Sequence, residues 1–501
     1  MEKKALAFTL VWVLFGALAA AASEPPVSSE TQACLGCHES VTPGIVVDWK
    51  KSRHSGTTPA EAMEKAKLER RVSARNVPEN LRDSAVGCYE CHSRNADKHT
   101  DSFNHFGYTI NVVVSPRDCA TCHPVEVDQY AGSKKANAWG NLQNNPVYHT
   151  LVDSVIGEKS VENLTITSTP ASYSTRNEAC FHCHGSEVKV TGTRKVKTAM
   201  GVIEVPELTN WPNDGVGRLN PDGTKGCCTS CHARHSFSIQ MARMPYTCAQ
   251  CHLEPDVPAW NVYKESKHGN IFETFESDFN YTNVPWTVGE DFSAPTCSVC
   301  HVSLLVTPAG NVLAERSHDF GARLWVRLFG LIYTHPQPKS GDTTVIRNAD
   351  DLPLPTTFTG KPASEYLIGK KEQAARKEKM MAVCKGCHST RWVTDHFAEM
   401  DNTLKETDAM TLAATKLLLR AWDEGLADRE NPFDEAIERM WVKQWLFYGN
   451  TARYSSAMTG APDYIAFKYG WWGLTTNLAD MKEVIQRGIE LKRAEKEDRK
   501  E

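Results

Sequence analysis

The sequence predicts a body of closely spaced Cys-x-x-Cys-His motifs closed by a C-terminal region of long helices. Two observations carry that prediction. The five-residue word occurs eight times and takes up 16 of the 17 cysteines. Beyond Ser364 the apolar residues change to a helical period, and this stretch holds a single copy of the word.

The eight copies are Cys34, Cys37 and His38; Cys88, Cys91 and His92; Cys119, Cys122 and His123; Cys180, Cys183 and His184; Cys228, Cys231 and His232; Cys248, Cys251 and His252; Cys297, Cys300 and His301; and Cys384, Cys387 and His388. Two thiols three positions apart match the two vinyl groups of one haem, and the following imidazole falls under the iron as its proximal ligand. A single match would fit a zinc half-site or a redox dithiol. Eight matches, each with His directly after the second Cys, read as eight covalently bound c-type haems.

Length alone suggests about three domains, but haems replace part of the side-chain core and weaken that prior. The division expected is a signal peptide at 1–23, a haem-rich domain at 24–335 with seven motifs, an exposed connection at 336–363 rich in Pro, Lys, Asp and Thr, and a helical region with the eighth haem at 364–501. The formal charge is −5; haem propionates add to it, so nothing points to nucleic acid. Lys3 and Lys4, the apolar run Ala5–Ala20 and a small-residue cleavage site at 20–23 read as a secretory signal, hence a periplasmic or otherwise exported protein. Loss of Glu2, Lys3 and Lys4 takes the mature charge from −5 to −6. No later apolar run approaches the ~20 residues of a membrane span. Haem attachment to thiols outside the cytoplasm explains the many cysteines without disulfides.

In chain order, Trp49-Lys-Lys-Ser-Arg-His54 after the first motif matches Tyr263-Lys-Glu-Ser-Lys-His268 after the sixth, each His 16 residues past its motif His. An aromatic, a Ser and a His so spaced on a short helix let one face carry an axial ligand, so His54 and His268 are distal-ligand candidates. The copy after the third motif, Tyr130-Ala-Gly-Ser-Lys-Lys135, puts Lys where the His would stand. Three readings compete there: an unusual lysine ligand, an iron that takes His149 instead, or a Lys135 on the surface or beside a haem propionate, the reading favoured. Residues 136–179 read as loop and short strand, and 186–224 as a strand-and-turn insertion. His182 lies inside the fourth attachment loop. His232 and His252 are 20 residues apart, so their haems should be close; His235, in an expected helix, suits a neighbouring haem. Cys227 is read as a buried free thiol. Residues 404–428 show a helical period, and Asn431-Pro432 reads as a helix start. His105, His149, His318 and His396 complete the assigned ligand set. With His99, His182 and His335 the non-motif histidines number ten, enough to fill every sixth position, so composition leaves open whether one iron is free.

The run Gly217-Arg-Leu-Asn-Pro-Asp-Gly-Thr-Lys-Gly-Cys-Cys228-Thr-Ser-Cys-His-Ala-Arg-His235-Ser-Phe-Ser, then Thr247-Cys-Ala-Gln-Cys-His-Leu-Glu-Pro-Asp256 and Glu265-Ser-Lys-His268-Gly-Asn-Ile, closely resembles octahaem hydroxylamine oxidoreductase. Ser317-His318-Asp-Phe-Gly and Asp463-Tyr464 are also similar, and the likeness runs from about residue 30 to 480. The resemblance implies a mainly α multihaem cytochrome c fold, a homotrimer, seven bis-His haems, and one open haem on the fourth motif with His184 as proximal ligand. It implies a small inorganic nitrogen substrate and a redox partner, a cytochrome or a quinol-linked donor or acceptor. Oxidising members carry an Asp-His pair after the sixth motif; here Asp256 is followed by Val257. They also carry a tyrosine from a neighbouring subunit cross-linked to the haem; Tyr464 and Tyr469 lie in that region. Oxidising hydroxylamine requires a base to remove protons, and His suits that task. Its absence favours reduction of nitrite or a related nitrogen oxide, with oxidation of hydroxylamine or hydrazine as the alternative and a haem wire without turnover as a third. Asp256, in Glu-Pro-Asp-Val-Pro, is the expected proton donor.

Overall fold

The computed structural model describes residues 24–499 apart from Leu164 and Gly330; the expected signal segment lies outside them. Each motif lies in a helix or helical turn or at the end of one, and the chain between motifs is mostly helix and loop. Strands occur only as small hairpins and one three-stranded sheet among the described residues. Among the described residues no helix is long and apolar enough to cross a membrane.

The C-terminal helices build the largest side-chain core. The helix Thr390–Asp423, 34 residues long, follows directly from the eighth motif and is capped by Ser389, whose Oγ accepts from Trp392 N–H at 3.3 Å. Its buried face runs Leu404, Thr407, Thr411, Ala414, Thr415, Leu418, Ala421, the three-to-four spacing of a helix stripe. The threonines satisfy their hydroxyls by donating to the carbonyl four residues back, at 2.9 Å in each case. Helix Ala436–Val442, the π-helical stretch Lys443–Gly449 and helix Trp471–Asp498 pack against that face through Trp441, Trp445 and Met481, and helix Asn450–Met458 joins them. Arg453 is fully buried and ties them together: it reaches Asp408 at 2.7 Å and the Ile332 carbonyl at 3.3 Å.

Several expectations are corrected. Residues 336–363 are not an exposed connection throughout: Gln337, Ile346, Leu354 and Thr356 are buried, and Leu354 joins the helical core. Residues 136–179 contain three helices, of which Pro146–Ile156 starts on an Asn145 cap accepting from Val147 N–H at 3.0 Å. Asn431-Pro432 has the same letters, yet Asn431 only closes a turn onto Phe433 N–H; the helix starts at Ala436, where Glu435 and Glu438 form a capping box. His235 lies in a turn with a φ of 23°, outside any helix. The strand-and-turn reading of 186–224 holds as the hairpin Val190–Thr198 with Gly201–Leu208.

Candidate functional site

The aromatic-Ser-His word does not lie on one helix. In each copy a helix stops at the serine, and a new turn begins there. Ser266 Oγ donates to the Tyr263 carbonyl at 2.6 Å, and the same oxygen accepts from Gly269 N–H, capping the next helix, Lys267–Phe275. Ser133 Oγ likewise donates to the Tyr130 carbonyl at 2.6 Å. After the first motif, Ser52 N–H donates to the Trp49 carbonyl at 2.8 Å. The break swings the residue two places on away from the helix axis and into the interior.

There His54 faces His123 with ring centroids 6.4 Å apart, and His268 faces His388 at 6.1 Å. Two further pairs have the same spacing: His105 with His38 at 6.1 Å and His318 with His232 at 6.5 Å. His105 is delivered by the hairpin Ser102–His105 with Tyr108–Asn111, whose turn residues Phe106 and Gly107 both have positive φ. A metal–nitrogen bond of about 2 Å on each side, plus the ring radii, separates two axial imidazoles by roughly 6 Å. Every pair joins one motif His to one non-motif His, so these residues fit a c-type haem between them. His92 Nδ1–H donates to the Asn111 carbonyl at 2.8 Å, which turns its other nitrogen inward. His235 is held neutral by burial first and then by the nearby His92.

Other histidines go elsewhere. His149 meets Arg176 at 2.8 Å and Asp153 at 3.4 Å, and does not face a motif imidazole. His396 is separated from His388 by Trp392, which stacks on both. His99 is buried among Asp101, Asp118 and Asp222. His182 is exposed. His335, not assigned a role from sequence, is buried with Nδ1 on the Pro336 carbonyl at 2.7 Å and no partner for Nε2. Cys227 is buried beside Asp214 and Thr229, as expected of a structural thiol.

All 17 cysteines are free, and the motif thiols border one another across motifs. Neighbouring motifs perturb one another's thiols: Cys88 lowers Cys34, Cys119 raises Cys228 and Cys248 raises Cys297, while burial chiefly raises Cys91, Cys231 and Cys300, with Cys122, Cys248 and Cys384 respectively adding to it. The motifs therefore run in space as first, second, third, fifth, sixth, seventh, eighth. The fourth stands outside this line, joined to the sixth through Cys183 and Cys251. The second to eighth motifs share one cavity of about 1970 Å³.

At the branch, polar groups converge. Lys135, expected on the surface or beside a haem propionate, lines this cavity, its Nζ 2.7 Å from His252 Nε2. The Lys135 charge, then burial, holds His252 well below the usual imidazole range. His184 looks into the cavity, with Nδ1 3.4 Å from the Ala138 carbonyl; burial, then Lys135 and Arg327, keeps it neutral. Its ring is exposed to the cavity that opens onto it. Burial and then Asp256 push the Cys180 thiol up, which places that carboxylate beside the fourth motif; burial raises Asp256 itself. Tyr454 is raised by burial, with Arg327 and Asp256 both close. Tyr464 donates to Glu254 of its own chain at 2.8 Å, two residues from Asp256. Sequence reading missed Arg327 and Tyr454; no local pattern marks them, because they come from a two-residue strand and a C-terminal helix.

Two families of haem proteins match the chain: one described as seven times multi-haem cytochrome CxxCH, at residues 221–317, and one described as cytochrome c554 and c-prime, at 33–111 and 118–205. A solved structure described as a hypothetical multiheme protein is 43% identical, with a TM-score of 0.87, covering 94% of this chain and 98% of that one. A Kuenenia stuttgartiensis structure described as a reducing HAO-like protein complex shares the fold at 19% identity, a TM-score of 0.61, and coverage of 93% and 87%. A curated Kuenenia stuttgartiensis relative, "Probable nitrite reductase-hydroxylamine oxidoreductase fusion protein", is 26% identical over 416 residues; the match covers 80% of this chain and only 39% of that longer protein. Fold and motifs define a multihaem cytochrome c carrying c-type haem iron, and the chain belongs with the multihaem proteins it matches across its length.

Proposed function

We propose that this protein is an exported octahaem oxidoreductase that reduces nitrite or a related nitrogen oxide at an open haem on the fourth motif. The observation that carries the reading is the polar lining beside the fourth motif: Lys135, Arg327 and Tyr454 line the cavity that also holds His184, and the fourth motif stands next to the sixth through Cys183 and Cys251. A relay needs no side branch and no polar chamber; turnover needs both.

When bound, a haem with a free axial position supplies a Lewis-acidic iron and a path for electrons. The chain supplies the rest. Arg327 and Lys135 give the chamber a positive potential that draws in an anion such as nitrite. Asp256, raised by burial, stays protonated to higher pH than an exposed carboxyl and can donate to a nitrogen-bound oxygen. Tyr454 is held as the phenol and offers a second donor. Lys135 holds its amine 2.7 Å from His252 Nε2, so its charge would sit beside the sixth motif, next to the fourth.

Oxidation of hydroxylamine or hydrazine is the second reading, supported by the second half of the curated relative's name. Val257 in place of a histidine and the bond of Tyr464 to its own chain's Glu254 weigh against it. Steady-state turnover of nitrite with a reduced dye, beside hydroxylamine with an oxidised dye, separates the two. Paramagnetic resonance showing only low-spin haems unchanged by cyanide would reduce the protein to an electron wire.

A further inference from the structure

The thiol-to-thiol line has two ends, the first motif and the eighth, and these differ in surface. Cys37 and Cys387 are the exposed motif cysteines among the described residues. At the first end the tip of the hairpin Val190–Thr198 with Gly201–Leu208 lies alongside, with Met200 Sδ 3.7 Å from the exposed Cys37 Sγ. The flanking cation at that end, Lys50, is already paired with Glu39. The eighth end is uncovered and basic. The helix that carries Cys384, Lys370–Lys385, holds six basic side chains against two acidic ones, on a chain whose net charge is −5. Arg376, Lys377 and Lys385 have carboxylate partners, whereas among the described residues Lys370, Lys371 and Lys379 are exposed and meet none within 4.0 Å. Beside the exposed Cys387, Trp392 is 39% exposed and stacks on His388 with centroids 4.0 Å apart. A 16-residue helix is about 24 Å long, close to the side of a docking patch of ~800 Å².

From this geometry we propose that the face formed by Lys370–Lys385, Cys387 and Trp392 is the docking surface for an acidic one-electron carrier protein. The proposal rests on the haem-bearing reading of the eighth motif. One electron leaves the carrier's reduced centre, which is oxidised by one unit, and is accepted by the haem held at Cys384 and Cys387, which is reduced by one. From there the line reaches the fourth motif through the seventh and sixth, a shorter path than from the first end. The exposed haem-attachment edge at the C-terminal end of this basic helix favours a redox protein over an anionic membrane, which needs charge but no haem edge.

The test uses the full haem-loaded protein with flavodoxin hydroquinone as an acidic one-electron donor and reduced riboflavin as a small donor without a docking face. The triple variant Lys370→Gln, Lys371→Gln, Lys379→Gln should lower the bimolecular rate with flavodoxin about tenfold at low salt and flatten its salt dependence, leaving the riboflavin rate unchanged. Titration calorimetry should show the same loss of flavodoxin affinity, independent of turnover. Unchanged flavodoxin rate and affinity would overturn the proposal, and so would loss confined to binding of phosphatidylserine-containing vesicles. A mass for the 370–395 peptide without haem would instead reject the eighth-motif haem itself, separating the two failures.

Discussion

Lys135 Nζ lies 2.7 Å from Nε2 of His252, in the place that His54 and His268 take before their own motif imidazoles. All three residues follow the same serine break, so one local device delivers two histidines and one lysine to three different motifs.

Replacing Lys135 by Ala should lower nitrite turnover by at least about tenfold, since a cation at the chamber is lost. Haem content by mass and the low-spin spectrum should be unchanged. An unaltered rate would leave Lys135 without a part in turnover.

His54→Ala and His268→Ala should each convert one low-spin haem to high-spin without loss of covalent haem, because attachment depends on the cysteines and spin state on the axial nitrogen. His149→Ala, whose ring is held by Arg176 and Asp153, should leave the spectrum as it is.

Asp256→Asn should lower turnover about tenfold or more at constant haem content, as general acids contribute ~10²–10⁴-fold. Burial raises its proton affinity, so the wild-type rate should fall as pH rises through the raised value, and the variant should lose that limb. A variant with the same pH profile would leave Asp256 as a turn residue.

His99 gives a stability prediction. Burial alone would lower its proton affinity, but bonds to Asp101 and Asp118 outweigh that and bring it up to about 9, above the 6.5 of a free imidazole. A raised folded value stabilises the protein fully below pH ~6.5, and the contribution is lost as pH rises through about 9. Between these limits the melting midpoint should fall by a few degrees in the wild type and stay flat in His99→Gln, which should be the less stable protein at acidic pH.

Local patterns carried part of the fold. The hairpin at 190–208 follows from the alternation of Val190, Val196, Ile203 and Val205, and the apolar period over 404–428 marks the second half of a helix that starts at Thr390 and stops at Asp423. Its buried threonines were invisible to that count, since their hydroxyls are satisfied by their own helix backbone. Leu354 and Ile346 sit in a polar-looking segment because a few apolar anchors suffice to seat a loop on a helical core.

The sequence by itself determined the cofactor chemistry. Thioether attachment and the proximal ligand need five consecutive residues, and their spacing is covalent geometry that no tertiary context alters. Only the folded chain decided which imidazole faces which motif, that Lys135 turns inward to His252, and that the fourth motif stands off the line of the other seven. Those relations join residues distant in sequence, and the packing that brings them together leaves no mark in any local run of letters.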